Sequence, residues 1–158
     1  MPEIQRDEVR RAILALRLPP VVLRIFDGED VHPALEFRAE SPHYSFTDGS
    51  GLDSTFLPFW ESGTTISGYS RRLGEYQEVS LEVPDAPFFS STSFRGLFCH
   101  LMIFLWEGEH DEAALSELTT LFEMPPIDQL LHSLQTQPPH SAEWDHWRAN
   151  VIQQYEIS

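Results

Sequence analysis

The sequence has no lysine, because all ten of its basic residues are arginine, and it sets these against 25 acidic residues in 158. Without an amine side chain the protein cannot use a P-loop lysine, a Schiff-base lysine or a Ser-Lys dyad. The formal charge of −15 also argues against a nucleic-acid partner, since phosphate binding needs a cationic surface that releases counterions. A basic protein partner is compatible with this charge.

Cysteine is nearly absent, and so are long apolar runs. Cys99 is the only cysteine, which excludes an intramolecular disulfide and removes any need for an oxidising compartment. The longest apolar run, Leu97 to Trp106, is interrupted by His100 and is too short to span a bilayer. The charged N-terminus shows no apolar signal-peptide core. These absences predict a cytoplasmic protein with no membrane segment.

The length predicts one domain over residues 1–158. A helix is expected from an N-cap at Asp7 to a stop before Pro19-Pro20. From about Val21 to Val83 the helical period is lost, so this half is predicted to form a sheet, with an extended segment around Phe26-Asp27-Gly28 and a turn at Asp48-Gly49. The clearest strand runs from Gln77 to Val83.

The helical period returns in the second half of the chain. A helix from Phe94 to Trp106, capped by Thr92 or Ser93, is apolar on nearly every side and is expected to lie buried across the sheet. Further helices are predicted after caps at Asp111 and Ser141 and after Pro125-Pro126, with a linker at Gln135 to Pro139. The predicted fold class is α+β: an N-terminal helix, a central, mostly antiparallel sheet and C-terminal helices packed on it. The last helix, about 141–155, is expected to dock loosely.

Negative charge is concentrated in the second half. Residues 1–73 hold eight arginines and eleven acids, a net charge of −3, whereas residues 74–158 hold two arginines and fourteen acids, a net charge of −12. In the predicted strand, Val79, Leu81 and Val83 face one side, while Glu78 and Glu82 face the other with Ser80 between them. The two carboxylates then form a ridge about 13 Å long, which is either a partner contact or a solvated strand face.

The densest polar cluster consists of Glu107, Glu109, His110, Asp111 and Glu112. Carboxylates and an imidazole can bind a metal or exchange a proton, but acids also gather at helix junctions because they are solvated and complement a helix N-terminus. The cluster has no HExxH, EF-hand or CxxC spacing. We therefore predict no metal and no cofactor.

No catalytic residue is predicted. Cys99 and His100 are adjacent on a helix, where neighbouring side chains point about 100° apart and cannot share a proton. Ser67-Gly68 lacks the glycine that a nucleophile elbow needs at position 65, which is Thr65.

The aromatic runs Phe59-Trp60, Phe88-Phe89 and Trp144 to Trp147 can be interface anchors or core. In a strand Phe59 and Trp60 face opposite sides, so one of them can be exposed, and Trp60 is taken as the candidate.

Five features follow one another over about residues 7–125. They are the N-terminal helix, the Leu18-Pro19-Pro20 step, the segment Phe56-Leu57-Pro58-Phe59-Trp60-Glu61-Ser62-Gly63, an acid-rich strand and the helix start Phe94-Arg95-Gly96-Leu97. This order of segments resembles the SUKH superfamily of bacterial immunity proteins. The resemblance implies an α+β binding module that neutralises a toxin domain by occlusion inside the producing cell. It implies no contact residues, because these vary across the family.

The residues and the resemblance together predict a non-enzymatic, cytoplasmic immunity protein that binds a basic toxin domain, with no nucleic-acid partner. A small enzyme with an unrecognised active site and an adaptor or chaperone-like interaction domain are the alternatives, and an acidic composition also suits a salt-adapted protein. The oligomeric state is left open. The candidate partner-binding residues are Glu78, Glu82, Trp60, Glu107, Glu109, Asp111 and Glu112.

Overall fold

The computed structural model describes residues 5–47, 50–136 and 143–157 and shows the predicted α+β fold. The chain divides into two compact units, one ending at Thr92 and one beginning at Ser93; a single domain over 1–158 stays a prediction. The elements of the first unit are α1 (Arg6–Ala15), α2 (Pro20–Phe26), β1 (Phe56–Ser62), β2 (Thr65–Ser70), β3 (Glu75–Ser80) and β4 (Phe89–Ser91). Those of the second unit are α3 (Phe94–Glu107), α4 (Glu112–Leu121), α5 (Asp128–Gln135) and α6 (Glu143–Ile157).

The first unit begins with two helices rather than one. α1 has Gln5 as its N-cap instead of the predicted Asp7, which lies in the first turn. α2 occupies a segment that was expected to be extended, and Asp27 is its C-cap. The prediction is wrong because Pro19-Pro20 not only ends α1 but also places Pro20 at the first helical position of α2, where proline favours a helix start. Beyond Asp27 the chain turns at Gly28, whose φ is +88°.

The sheet has four antiparallel strands in the order β1-β2-β3-β4. Both α1 and α2 contact β1, and their buried residues include Val9, Ile13, Val22 and Phe26. Burial of these apolar side chains is the main stabilising contribution. Between α2 and β1 the chain forms two short 3₁₀ turns, Pro33–Leu35 and Tyr44–Phe46. The predicted turn at Asp48-Gly49 lies outside the described residues.

The strand predicted over Gln77–Val83 instead covers Glu75–Ser80. It ends at Ser80 because the chain turns there: the Ser80 hydroxyl accepts a hydrogen bond from the Glu82 N–H at 3.1 Å, and the Ser80 carbonyl accepts one from the Val83 N–H at 3.1 Å. Val83 is consequently exposed rather than buried beside Val79. Glu78 and Glu82 therefore do not form the predicted ridge along one strand.

A β-bulge in β1 explains why both Phe59 and Trp60 are buried. Pro58 pairs with Gly68, and Trp60 pairs with Ser67, so Phe59 is the extra residue. A bulge interrupts the strict alternation of side chains along a strand. Phe59 is 0% and Trp60 2% exposed, so the expectation that one of them is exposed is wrong.

In the second unit, two predicted helix caps are confirmed. The Ser93 hydroxyl accepts a hydrogen bond from the Gly96 N–H at 3.2 Å, and the Asp111 carboxylate accepts one from the Ala114 N–H at 2.9 Å. α5 begins at Asp128, two residues later than Pro125-Pro126 indicated. The predicted cap at Ser141 and residues 137–139 of the predicted linker lie outside the described residues.

α3 is buried on several sides, as its composition predicts, and its position across the sheet stays a prediction. The Phe98 ring packs near those of Phe122 and Tyr155, with centroids 5.1 and 6.0 Å away. α6 contacts both α3 and α5, and the Tyr155 hydroxyl donates a hydrogen bond to the Pro125 carbonyl at 3.1 Å. Across the described ranges, no helix is long and apolar enough to cross a membrane.

Candidate partner-binding site

Antiparallel pairing brings several acidic segments of the first unit to one end of the sheet. Ser62 pairs with Thr65, Thr65 pairs with Ser80, and Glu78 pairs with Phe89. The last residues of β1 and β3 therefore lie beside the first residues of β2 and β4. We call residues 36–40, 61–65 and 78–89 the acidic end of the sheet. Its sequence contains one arginine, Arg38, and six acids, which are Glu36, Glu40, Glu61, Glu78, Glu82 and Asp85.

The opposite end of the sheet is close to neutral, because Arg71 and Arg72 are accompanied by Asp53 and Glu75. There the turn between β2 and β3 contains Arg71, Arg72 and an exposed Leu73. Arg72 forms an ion pair with Asp53 at 3.3 Å, and the Arg71 guanidinium donates to the Thr55 carbonyl at 3.2 Å. The carboxylates of the acidic end thus lie about 20 Å from this neutral end, for strands of six residues.

Phe37 is the most unusual residue at the acidic end. Its side chain is 76% exposed, and its φ of +63° lies in a region that a bulky residue rarely adopts. Two hydrogen bonds hold this conformation: the Phe37 N–H donates to the Glu40 carboxylate at 2.8 Å, and the Ser62 hydroxyl donates to the Phe37 carbonyl at 2.7 Å. We call Phe37, Glu40 and Ser62 the Phe37 clamp. It fixes the backbone from which an apolar ring projects into solvent.

A groove with a cavity volume of about 540 Å³ lies beside the clamp, and Phe37 is part of its lining. Four carboxylates line it, and none of its lining residues is an arginine. Glu29 is paired with Arg24 at 2.7 Å, and Glu40 accepts the Phe37 N–H. Carboxylates that share one concave surface produce a negative potential that attracts cationic groups.

Phe88 is a second exposed aromatic residue at the acidic end, 66% exposed, and Val83 beside it is exposed as well. The Phe88 N–H donates a hydrogen bond to the Glu78 carbonyl at 2.8 Å. Phe88 precedes β4, and Phe37 is bonded to β1, so the two residues are at opposite edges of the sheet. Three strand spacings separate these edges, about 14 Å. Phe88 and Glu82, both singled out in the sequence, therefore share one end of the sheet with the Phe37 clamp.

Glu61 supports the acidic end from inside. Its side chain is 4% exposed, and its carboxylate accepts hydrogen bonds from the N–H groups of His43 and Tyr44 at 2.6 and 2.9 Å and from the Ser45 hydroxyl at 3.2 Å. Its backbone pairs in both directions with Glu40 at 2.9 Å. Glu61 therefore ties β1 to the 3₁₀ turn at Tyr44–Phe46 and to the clamp.

The remaining candidates lie apart from this end of the sheet. Trp60 is buried in the first unit. Glu107, Glu109, Asp111 and Glu112 lie in the second unit, at the junction of α3 and α4, where Asp111 caps α4 and Glu112 accepts a hydrogen bond from Gln135. Within residues 5–47, 50–136 and 143–157, no three His, Cys, Asp or Glu side chains form a group suited to a metal ion. Partner contact by the junction residues stays a prediction.

Cys99 and His100 have separate environments in the second unit. Burial raises the pKa of the Cys99 thiol to about 12, so the reactive thiolate is scarcely formed at neutral pH. His100 instead contacts the guanidinium of Arg148 through Nδ1. This arrangement does not supply the activated thiol that nucleophilic catalysis requires.

Cys99 is therefore expected to resist alkylation in the folded protein. Iodoacetamide at pH 8 should leave the thiol unmodified over hours, and the same reagent in denaturant should modify it fully, because only the unfolded chain exposes a thiol with a pKa near 8.5. Intact-mass spectrometry measures both reactions. Rapid modification of the native protein, at a rate similar to free cysteine, would show that the thiol is accessible and ionised.

The Phe37 clamp could not be found from the sequence, because Phe37 and Ser62 are 25 positions apart and positive φ at a phenylalanine has no local signature. The sequence around it, VHPALEFRAE at residues 31–40, mixes apolar and polar residues and contains no motif that singles out Phe37. Comparisons with protein-family models, with curated proteins and with solved structures give no match to this chain.

Proposed function

We propose that this protein is a non-enzymatic binding protein that docks a basic protein domain on the acidic end of its sheet. More specifically, we propose an immunity protein that neutralises a cognate toxin domain by direct binding in the producing cell. The observation that carries the proposal is the Phe37 clamp, an exposed aromatic side chain on a fixed backbone among carboxylates.

An aromatic residue on a fixed backbone has the properties of an interface anchor. A few buried aromatic residues usually provide most of the binding energy at a protein interface. Ordering a flexible segment on binding reduces affinity, and the Phe37 backbone is already held by two hydrogen bonds. A backbone conformation unfavourable for phenylalanine is also retained only where the surrounding structure enforces it, and such residues cluster at functional sites.

The charges around the clamp suit a cationic partner. Exposed carboxylates steer the approach of a basic surface and raise the association rate more than they change the dissociation rate. The formal charge of the whole chain, −15, acts in the same direction. The resemblance of the segment order to SUKH immunity proteins supports a toxin domain as the partner.

Neutralisation distinguishes an immunity protein from an adaptor. The test co-expresses the chain with the product of the neighbouring gene, which on this proposal is toxic when it is expressed alone. We expect the host cells to survive, the two proteins to co-purify and the purified complex to lack toxin activity. A complex that retains full toxin activity would support an adaptor instead. Failure of the two purified proteins to associate would contradict the proposal.

Phe37→Ala is expected to weaken binding of this toxin domain at least tenfold, the loss of about 1.4 kcal/mol or more that a central aromatic anchor contributes. The matched control is Leu73→Ala, because Leu73 is also exposed, at 52%, but lies at the opposite end of the sheet. Titration calorimetry measures both dissociation constants. Equal affinities for the two variants would remove the Phe37 clamp from the interface.

A further inference from the structure

We infer that the groove beside Phe37 takes an extended, arginine-containing segment of the partner, with a guanidinium stacked on the Phe37 ring and paired with Asp30 and Glu36. This inference rests on the proposed function and names the chemistry that the site recognises. Three observations carry it: the carboxylates that remain uncompensated, the shape of the groove and the exposed ring.

The first observation is that two of the four groove carboxylates have neither a counter-ion nor a hydrogen-bond donor among the described residues. Glu29 pairs with Arg24, and Glu40 accepts the Phe37 N–H. Among the described residues, the carboxylates of Asp30 and Glu36 make no hydrogen bond and no ion pair. Both are exposed groove-lining residues. A partner cation would find two carboxylates there with no internal competitor.

The second observation is the size and lining of the groove. Its volume of about 540 Å³ is in the range of sites that bind several side chains or a small ligand. Its floor and walls include Val31, Pro33 and Leu35 between the acids. This mixture suits the apolar stem of a long basic side chain, which packs on carbon while its charged head reaches a carboxylate.

The third observation is the exposed face of Phe37. A guanidinium within about 6 Å of an aromatic centroid is attracted by the ring quadrupole. The chain already contains this arrangement: the Arg6 guanidinium lies 4.7 Å from the Phe46 centroid and 5.0 Å from that of Phe26. Because a guanidinium is planar and pairs with carboxylates through two parallel hydrogen bonds, the site favours arginine over lysine.

The probe is a capped pentapeptide, Gly-Arg-Ala-Arg-Gly, titrated into the full-length ¹⁵N-labelled protein at low salt. Backbone shifts are expected to concentrate in residues 29–40 and to leave the turn at Leu73 unchanged. Replacing both arginines of the peptide with lysine should weaken binding about threefold, because the planar guanidinium is lost while the charge stays. Replacing them with glutamine should weaken binding at least about tenfold, because the charge is lost as well. Shifts concentrated at Glu107 to Glu112 instead would overturn the inference.

Variants of the protein distinguish binding in the groove from a general effect of the negative charge of the chain. Asp30→Asn combined with Glu36→Gln should weaken binding of the arginine peptide at least about fivefold, since both carboxylates that pair with the guanidinium lose their charge. Glu107→Gln combined with Glu109→Gln, which removes the same charge from the second unit, should not. Phe37→Leu keeps an apolar side chain but removes the stacking surface, so it should reduce the preference for arginine over lysine. Equal peptide affinities in the two double variants, or an unchanged preference in Phe37→Leu, would overturn the inference.

The experiments distinguish failure of the groove assignment from failure of the proposed function. If the toxin domain binds and is neutralised equally by wild type and by the Asp30→Asn/Glu36→Gln variant, the groove assignment is wrong and the proposed function stands. If the toxin domain does not bind while the peptide shifts map to residues 29–40, the groove assignment stands and the proposed function is wrong.

Discussion

Replacing Gly68 with alanine is expected to lower the free energy of unfolding of the first unit by about 3 kcal/mol or more, at the upper end of the cost of overpacking. A Cβ at this position would lie 2.1 Å from the Leu57 carbonyl oxygen and 2.9 Å from its carbon. These are backbone atoms of the neighbouring strand β1, so no rotamer change relieves the contact. The substitution must instead push β1 and β2 apart beside the bulge at Phe59.

Two further variants identify the cause of this loss. Gly63→Ala places a Cβ in open space but at φ +60°, so it should cost about 1 to 2 kcal/mol from backbone strain alone. The Phe56 ring also lies 2.8 Å from the added Cβ, and Phe56→Leu tests whether this flexible neighbour matters. Because the Leu57 carbonyl remains, Gly68→Ala should stay destabilising in the Phe56→Leu background. Chemical denaturation measures all three, and a Gly68→Ala loss below that of Gly63→Ala would contradict the predicted clash.

The parts of the fold that were predictable from the sequence depend on local chemistry. The caps at Ser93 and Asp111 follow from side chains that accept hydrogen bonds from N–H groups three residues ahead. The burial of α3 follows from apolar residues on nearly every side of one helix. Each signal lies within a few residues, so the sequence alone contains it.

The errors arose where one pattern allowed two structures. The alternation of residues 77–83 continues past the end of β3, but Ser80 closes a turn with Glu82 and Val83, and alternation cannot show where pairing stops. Trp60 was a candidate anchor because strict alternation exposes one residue of each neighbouring pair. The bulge at Phe59 interrupts that alternation. Because the bulge depends on how β1 pairs with β2, the residues of β1 alone do not predict it.

The net charge of each half of the sequence also gave no indication of the acidic groove. The first 73 residues have a net charge of only −3, because arginines there offset most of the acids. In the structure Arg10 pairs with Asp27 at 2.8 Å, Arg72 pairs with Asp53, and Arg24 pairs with Glu29 in the groove. Within the described residues, no arginine pairs with Asp30 or Glu36. Local potential thus depends on pairing in three dimensions, which net charge does not record.

Glu61→Ala is expected to destabilise the protein by about 2 to 3 kcal/mol, because it leaves donors that had been bonded to a carboxylate without their acceptor. The two amide hydrogen bonds, from His43 at 2.6 Å and Tyr44 at 2.9 Å, are charge-assisted and short. Both residues are exposed, so water can reach their N–H groups once the turn loosens, which keeps the loss below that of a fully buried pair. A cavity inside β1 adds to the loss.

Glu61→Gln is the matched variant, because its amide oxygen can still accept the two backbone N–H groups while the charge is removed. We expect it to lose about half as much free energy of unfolding as Glu61→Ala, since neutral hydrogen bonds are roughly half as strong as charge-assisted ones. Hydrogen exchange at the amides of His43 and Tyr44 reports on the same contacts: protection should fall in the order wild type, Glu61→Gln, Glu61→Ala. Unchanged protection in Glu61→Ala would show that the turn at Tyr44–Phe46 is held by other contacts and that the buried carboxylate does not support the acidic end of the sheet.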